Sequence, residues 1–225
     1  MTQSKSHALI VFDLDGTLLR GPTVCEVFAR SLNRLPRMQE FERLKDRQGI
    51  SAAREEMAIW YRDVSRSVLL QTLYEAQPAP GLAAGITLLQ AHGAAVGIAS
   101  ITWHFAVMHI ATSLGIEHCL GTVLEDSGSI QHVWPEHKAK WILELARRLE
   151  ITIERTAAVG DSAGDYDMLG VVGIPIFVGM ELPSPQPTWL HLPAANIEHV
   201  ARHLIDAWGL QPNNALQPTC EDARG

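Results

Sequence analysis

Short, unbroken apolar runs alternate with helical patterns along this chain, and that alternation leaves few folds open. Ala8-Leu9-Ile10-Val11-Phe12 runs into Asp13, Ala94-Ala95-Val96-Gly97-Ile98-Ala99 into Ser100, and Thr156-Ala157-Ala158-Val159-Gly160 into Asp161. A run without polar alternation reads as a strand buried on both faces, the mark of a parallel sheet. Gly173 to Val178 is a weaker run, because Pro175 suits an edge or a bulge, and 121–124 marks a further short strand. Helical patterns lie between the runs. One ends at His92-Gly93, one spans Phe105 to Leu114 before Gly115, one carries Trp141, Ile142, Leu145 and Leu149, and one spans Ile197 to Trp208 before Gly209. Strands alternating with helices of this length predict βαβ units, hence an α/β fold on a doubly wound, mainly parallel sheet.

Residues 20–80 break the alternation. Val24 to Leu35, Met38 to Arg47 and Ser51 to Leu73 read as helices rich in Arg and Glu, and Gln77-Pro78-Ala79-Pro80-Gly81 reads as a linker. The expected organisation is therefore a core of residues 1–19 and 81–209, a helical insert at 20–80, and a flexible tail at 210–225. At 225 residues and a net charge of −7, the chain can bury a sizeable core and lacks the Lys/Arg excess that gripping a nucleic-acid backbone needs. Three separated cysteines without a CxxC, no span long enough to cross a membrane and no secretory leader point to a cytoplasmic protein. The sequence leaves the oligomeric state open.

Three of the runs end in an oxygen-bearing residue, and in an open α/β sheet ligands bind in the crevice beyond the C-terminal strand ends. Asp13-Leu14-Asp15-Gly16-Thr17 adds a second carboxylate two places on, and Asp161-Ser162-Ala163-Gly164-Asp165 another four places on. Any one of these aspartates reads equally well as a turn former or helix cap. Four carboxylates meeting at one point would repel one another, and a hard divalent cation such as Mg2+ resolves that repulsion. The ten histidines show no ligand spacing of their own and read as structural.

Asp13-Leu14-Asp15-Gly16-Thr17, the strand reaching Ser100, Lys138 at the head of a helix and Gly160-Asp161-Ser162-Ala163-Gly164-Asp165 resemble, in order and spacing, the motifs of the haloacid dehalogenase superfamily. The helical insert directly after the first motif is similar to the small cap of its phosphoserine-phosphatase-like branch. The resemblance implies a Rossmann-like core and an Mg2+-dependent phosphatase acting on a small phosphorylated metabolite through an aspartyl phosphate. It implies that Asp13 is the nucleophile and Asp15 the general acid and base. Ser100 and Lys138 would hold the phosphoryl group. Asp13, Asp161 and the backbone carbonyl of Asp15 would bind the metal, with Asp165 completing its surroundings or orienting Lys138. Asp15 should have a raised pKa, whereas Asp13, beside metal and lysine, should have a lowered one.

Several positions stay open at this stage. Thr102 competes with Ser100, and Lys140 with Lys138. In that branch an acid shortly after the first motif meets the substrate amine; the spacing puts Pro22 there, with Glu26 the nearest acid. Arg54 is the nearest candidate for a substrate carboxylate, with Arg43 and Arg47 as competitors. An alcohol acceptor in place of water would make the same half-reaction a phosphotransfer. A non-catalytic phosphate-binding module would be expected to have lost Asp13 or Asp15, and both are present.

Overall fold

The computed structural model describes residues 6–182 and 189–212. β1 (Ala8–Phe12) leads through the two-residue β2 (Leu19–Arg20) into four helices: α1 (Val24–Ser31), α2 (Leu35–Phe41), α3 (Arg47–Tyr61) and α4 (Arg66–Gln71). Then come β3 (Gln77–Pro78), α5 (Leu82–Ala91), β4 (Ala94–Trp103), α6 (His104–Ser113), β5 (His118–Leu124), β6 (Ile130–Gln131) and α7 (Pro135–Arg148). β7 (Thr156–Gly160), α8 (Tyr166–Leu169), β8 (Ile174–Phe177), β9 (Leu190–His191) and α9 (Ile197–Trp208) follow. Seven strands form one sheet in the order β6-β5-β4-β1-β7-β8-β9, parallel except for the β5–β6 pair. This is the doubly wound, Rossmann-like α/β architecture that the apolar runs predict.

β1 sits at the centre because both of its faces are apolar. Ala8, Ile10 and Phe12 pack into one core with Ile86, Leu89, Ala106 and Leu204, whereas Leu9 and Val11 pack into a second with Ile142, Leu145 and Met168. The helices between β2 and β3 share the first of these cores. Phe28 stacks on Phe105 at 5.8 Å, and Tyr61 sets its edge on Trp103 at 5.8 Å. Full burial of one such ring is worth roughly 1.5–3 kcal/mol, so this contact is a firm one.

Several boundaries differ from the sequence reading. β4 does not stop at Ser100 but continues to Trp103, its register to β5 shifting between Ala99 and Trp103. The Thr122 hydroxyl holds the irregular stretch by donating to the Ile101 carbonyl at 2.8 Å. The single helix expected over 51–73 is two, because the Ser65 hydroxyl accepts from Val68 N–H and starts α4 afresh. Asp46 caps α3 by accepting from Gly49 N–H at 2.8 Å, which moves residues 47–50 into α3 and ends α2 early. The expected linker at 77–81 begins as a strand that pairs antiparallel with Leu19–Arg20, so a small ribbon brackets the four helices. Pro175 pairs only on the β7 side, since β9 joins β8 from Ile176 onward, so its missing N–H costs no ladder bond there. Leu210 is buried in the first core, and residues 213–225 of the expected tail, Cys220 among them, lie outside the described residues. Among the described residues no helix is long and apolar enough to cross a membrane.

Candidate active site

β1 lies between β4 and β7, so Asp13 and Asp161 leave the sheet on one edge, with Ser100 beside them inside the longer β4. The turn after β1 is tight, with Gly16 N–H donating to the Leu19 carbonyl at 2.8 Å and Gly16 at φ +86°. A Cβ on Gly16 would lie 2.2 Å from Asp161 Oδ2, so only glycine lets the two motifs close on each other. Thr17, fully buried, donates its hydroxyl to Asp161 Oδ1 at 3.0 Å.

Lys138, in the first turn of α7, is 2% exposed and ties the motifs together. Its ammonium lies 2.6 Å from Asp13 Oδ1 and 2.8 Å from Asp165 Oδ1. The other Asp165 oxygen accepts from the Asp161 and Ser162 N–H groups, each at 3.0 Å, and from the Ser162 hydroxyl at 3.2 Å. Both Asp165 oxygens are thus engaged, and the geometry fits orientation of Lys138. A Cβ on Gly160 would meet the Asp165 side chain at 2.5 Å, so this glycine also makes room for a carboxylate. Lys140 is exposed and faces Glu144 at 3.9 Å, away from the cluster.

Carboxylate oxygens of Asp13, Asp161 and Asp165 lie within 4.8 Å of one another. One ammonium faces three carboxylates. Lys138 takes Asp13 Oδ1 and Thr17 takes Asp161 Oδ1, which leaves the Oδ2 atoms of both for a cation. An all-oxygen, net-negative donor set of this kind fits a hard divalent ion. The Asp15 side chain stands outside the cluster. Its Oδ1 accepts from Val24 N–H at 2.8 Å, which turns it toward the helical segment.

The electrostatics follow from burial. Enclosure lifts the Asp15 pKa to about 7, with the Val24 N–H opposing. Burial also raises Asp13, the Asp165 carboxylate adds to it, and Lys138 opposes without cancelling them. This direction belongs to the chain's own groups, with Lys138 shared between Asp13 and Asp165, whereas the expected lowering is for Asp13 beside metal and lysine together. Asp161 is raised for the same reasons, burial first and Asp165 second. For Lys138 burial works against the charge, yet Asp13 and Asp165 outweigh it and raise its pKa.

Ser100 is buried, and its hydroxyl oxygen accepts from Thr102 N–H at 3.2 Å. The Thr102 hydroxyl faces α1 instead, 3.3 Å from the Cys25 thiol. Burial pushes that thiol up to about 12, so it is unreactive at neutral pH.

The two residues considered for substrate recognition are both engaged. Glu26 closes a capping box, accepting from Thr23 N–H at 2.9 Å while Thr23 accepts from Glu26 N–H at 3.1 Å. Arg54 is 5% exposed and donates to the carbonyls of Ile101 at 2.9 Å and Val133 at 3.2 Å, with His132 Nδ1 at 3.0 Å. Burial lowers its pKa to about 10. Of its competitors, Arg47 pairs with Glu136 and Arg43 lies on the exposed surface. Sequence reasoning gives no role to Thr17 or Trp134 and reads His132 as structural. Thr17 stands inside the first motif and could have been found there; the other two carry no local signal.

The model of the haloacid dehalogenase-like hydrolases matches residues 10–170, most of the chain. The chain belongs to this family. The phosphoserine phosphatase of Methanocaldococcus jannaschii is 25% identical over 181 residues, which cover 76% of this chain and 85% of that protein. Phosphoserine phosphatase SerB2 of Mycobacterium tuberculosis is also 25% identical over 181 residues, but the match spans only 44% of its length. Among solved structures, a phospho-aspartyl intermediate analogue of phosphoserine phosphatase superposes with a TM-score of 0.65 at 22% identity, covering 77% of this chain and 87% of the other. At that identity the likeness is one of fold.

Proposed function

We propose that this haloacid dehalogenase-like hydrolase is an Mg2+-dependent phosphatase of a small phosphomonoester. The reading is carried by one observation: a buried lysine joins Asp13, at the end of the central strand, to Asp165, directly beside Asp161. The carboxylates of Asp13 and Asp161, with the backbone carbonyl of Asp15, would hold the metal. When bound, Mg2+ supplies the positive charge that lets an anionic nucleophile approach an anionic phosphate.

The chain's own groups do the rest. Asp13 attacks phosphorus, the ester P–O bond breaks, and Asp15 gives its proton to the departing alkoxide. Lys138 and the Ser100 hydroxyl bind the phosphoryl oxygens. Asp15, now a base, takes a proton from water as that water attacks phosphorus; inorganic phosphate leaves and Asp13 is restored. A group with a pKa near 7 suits both halves of this cycle, and a positioned acid–base group typically contributes ~10²–10⁴-fold. A phosphoserine phosphatase of the same fold has been captured as a phospho-aspartyl intermediate analogue, which supports a covalent step on Asp13. Residues 20–80 are read as a cap over the site. With Pro22 after the first motif and Glu26 engaged in its helix cap, neither position offers a free carboxylate to an amine on the substrate. The test is release of p-nitrophenol from p-nitrophenyl phosphate with Mg2+, wild type against Asp13→Asn; equal rates would end this reading.

A further inference from the structure

The ring of Trp134 is held by residues distant in sequence. Arg54 of α3 places its guanidinium carbon 4.8 Å from the ring centre, and Arg47 of the same helix places its own at 5.2 Å. His132 stacks on the ring at 5.4 Å with 19° between the planes. Each arginine is anchored again beside the ring: Arg54 by the carbonyls of Ile101 and Val133, Arg47 by Glu136 at 2.5 Å. Trp134 in turn is where α7 begins. Its carbonyl accepts from His137 N–H at 2.9 Å, and its own N–H donates to His137 Nδ1 at 3.3 Å. The next residue is Lys138, whose ammonium lies between Asp13 and Asp165. The first turn of a helix has unpaired N–H groups and frays unless something outside the helix holds it. Here the helical segment supplies part of the hold, alongside the Val133 N–H bond to the Thr122 hydroxyl of β5.

We propose that Trp134 is a positioning residue: gripped by Arg47 and Arg54, it makes the placement of Lys138 depend on the docking of the helical segment over the site. This rests on the reading of Lys138 as the cation that meets the phosphate. Trp134 itself touches neither Asp13 nor the reacting atoms in this scheme; it acts through the first turn of α7. Docking of α3 sets that turn and aligns Lys138, and lifting of α3 releases it. The phosphate site is then complete only when the site is covered, so phosphoryl transfer is coupled to closure. Cation–ring contacts are too weak to decide whether a chain folds, and strong enough to bias the order of one turn.

The experiment uses the full-length chain with Mg2+ and compares wild type, Trp134→Ala and Trp134→Phe. It reads p-nitrophenyl phosphate turnover, inhibition by orthovanadate, and amide hydrogen exchange over residues 135–140. Trp134→Ala should lose about tenfold in kcat and about tenfold in vanadate affinity, with faster exchange in the first turn of α7. Trp134→Phe keeps an aromatic face and should recover most of both. Arg47→Ala should cost less in the Trp134→Ala background than in the wild type, because the cation–ring contact is already gone and only the pair with Glu136 remains to be lost. Wild-type kcat and vanadate affinity per folded molecule in Trp134→Ala, or a loss that phenylalanine fails to recover, would overturn the proposal. An inactive wild type would instead overturn the phosphatase reading, and the exchange data would still decide whether Trp134 orders the turn that carries Lys138.

Discussion

Asp15 has a pKa near 7 because its carboxyl is enclosed, Glu42 and Asp161 add to that effect, and the Val24 N–H and Lys138 oppose it without cancelling it. The same burial has a measurable cost. A carboxyl raised from its ordinary value to about 7 is stable when protonated, so its contribution to folding is full below pH 4 and lost as pH rises through 7. Between those limits the metal-free protein should lose up to about 1.4 kcal/mol per pH unit from this group. Asp15→Asn, which keeps the acceptor for Val24, should therefore melt higher than wild type at pH 8 without metal, with the gap closing toward pH 4. Thermal melts across that range check it; a gap that widens on acidification would contradict the burial account. Lys138 shows the opposite balance. Removing it as Lys138→Met leaves Asp13 and Asp165 buried without their cation, a loss of roughly 3–5 kcal/mol at pH 7 that shrinks as acid protonates Asp13. Denaturant titration at pH 7 and pH 5 measures both. Much of this cluster is legible in the sequence, because strand ends in a parallel sheet share an edge, Asp13 and Asp161 follow their strands directly, and Asp165 comes four places after Asp161. The engagement of Glu26 is written locally, as the capping box Thr23-Val24-Cys25-Glu26, whereas that of Arg54 is not legible. Arg54 finds its acceptors 47 and 79 residues away, and nothing around it in sequence marks them.

The turn after β1 and the start of α7 are the elements that place the chemistry. Gly16 combines a left-handed backbone with a missing Cβ that would sit 2.2 Å from the Asp161 carboxylate. Gly16→Ala should therefore displace Asp161, costing about 1–2 kcal/mol in backbone strain and weakening Mg2+ affinity while the fold persists. Mg2+ titration of activity reads the affinity; an unchanged midpoint would show that Asp161 does not depend on this turn. At this scale the sequence is a good guide to β1, β7, α6, α7 and α9, whose apolar patterns belong to their own segments. It is a poor guide where neighbours decide. β4 runs past Ser100 because Thr122 of β5 holds Ile101, and the two-residue strands β2 and β3 exist only as each other's partner. The break between α3 and α4 was written in Ser65, a capping residue inside a continuous helical pattern.

Across the whole molecule, the helical segment and the α/β sheet are joined by a shared core and by arginines. Phe28, Met57 and Tyr61 pack in the core that includes Phe12. Arg47, Arg54 and Arg66 of the segment reach Glu136, the Ile101 and Val133 carbonyls, and the Leu124 carbonyl with Asp126, respectively. If residues 20–80 act as the proposed cap, entry of a substrate would require the segment to part from the sheet, and its return would exclude water from Asp13. The acidic cluster beneath it would make a bound cation part of the stability. Chelation with EDTA should abolish turnover, and Mg2+ at a hundredfold excess over its Kd should add about 2.7 kcal/mol, seen as a rise in Tm. A melting point indifferent to Mg2+ would speak against an ion in this cluster. The central claim is that a phosphoryl group passes through Asp13, and borohydride trapping tests it most directly. Asp15→Asn with p-nitrophenyl phosphate, whose leaving group needs no acid, should still be phosphorylated but lack the base for release. Quenched with borohydride, its acyl phosphate should be reduced to homoserine at position 13, read by peptide mass spectrometry and absent without substrate. Sustained turnover by the wild type with residue 13 unmodified in every trapped sample, or homoserine at another aspartate, would contradict the account.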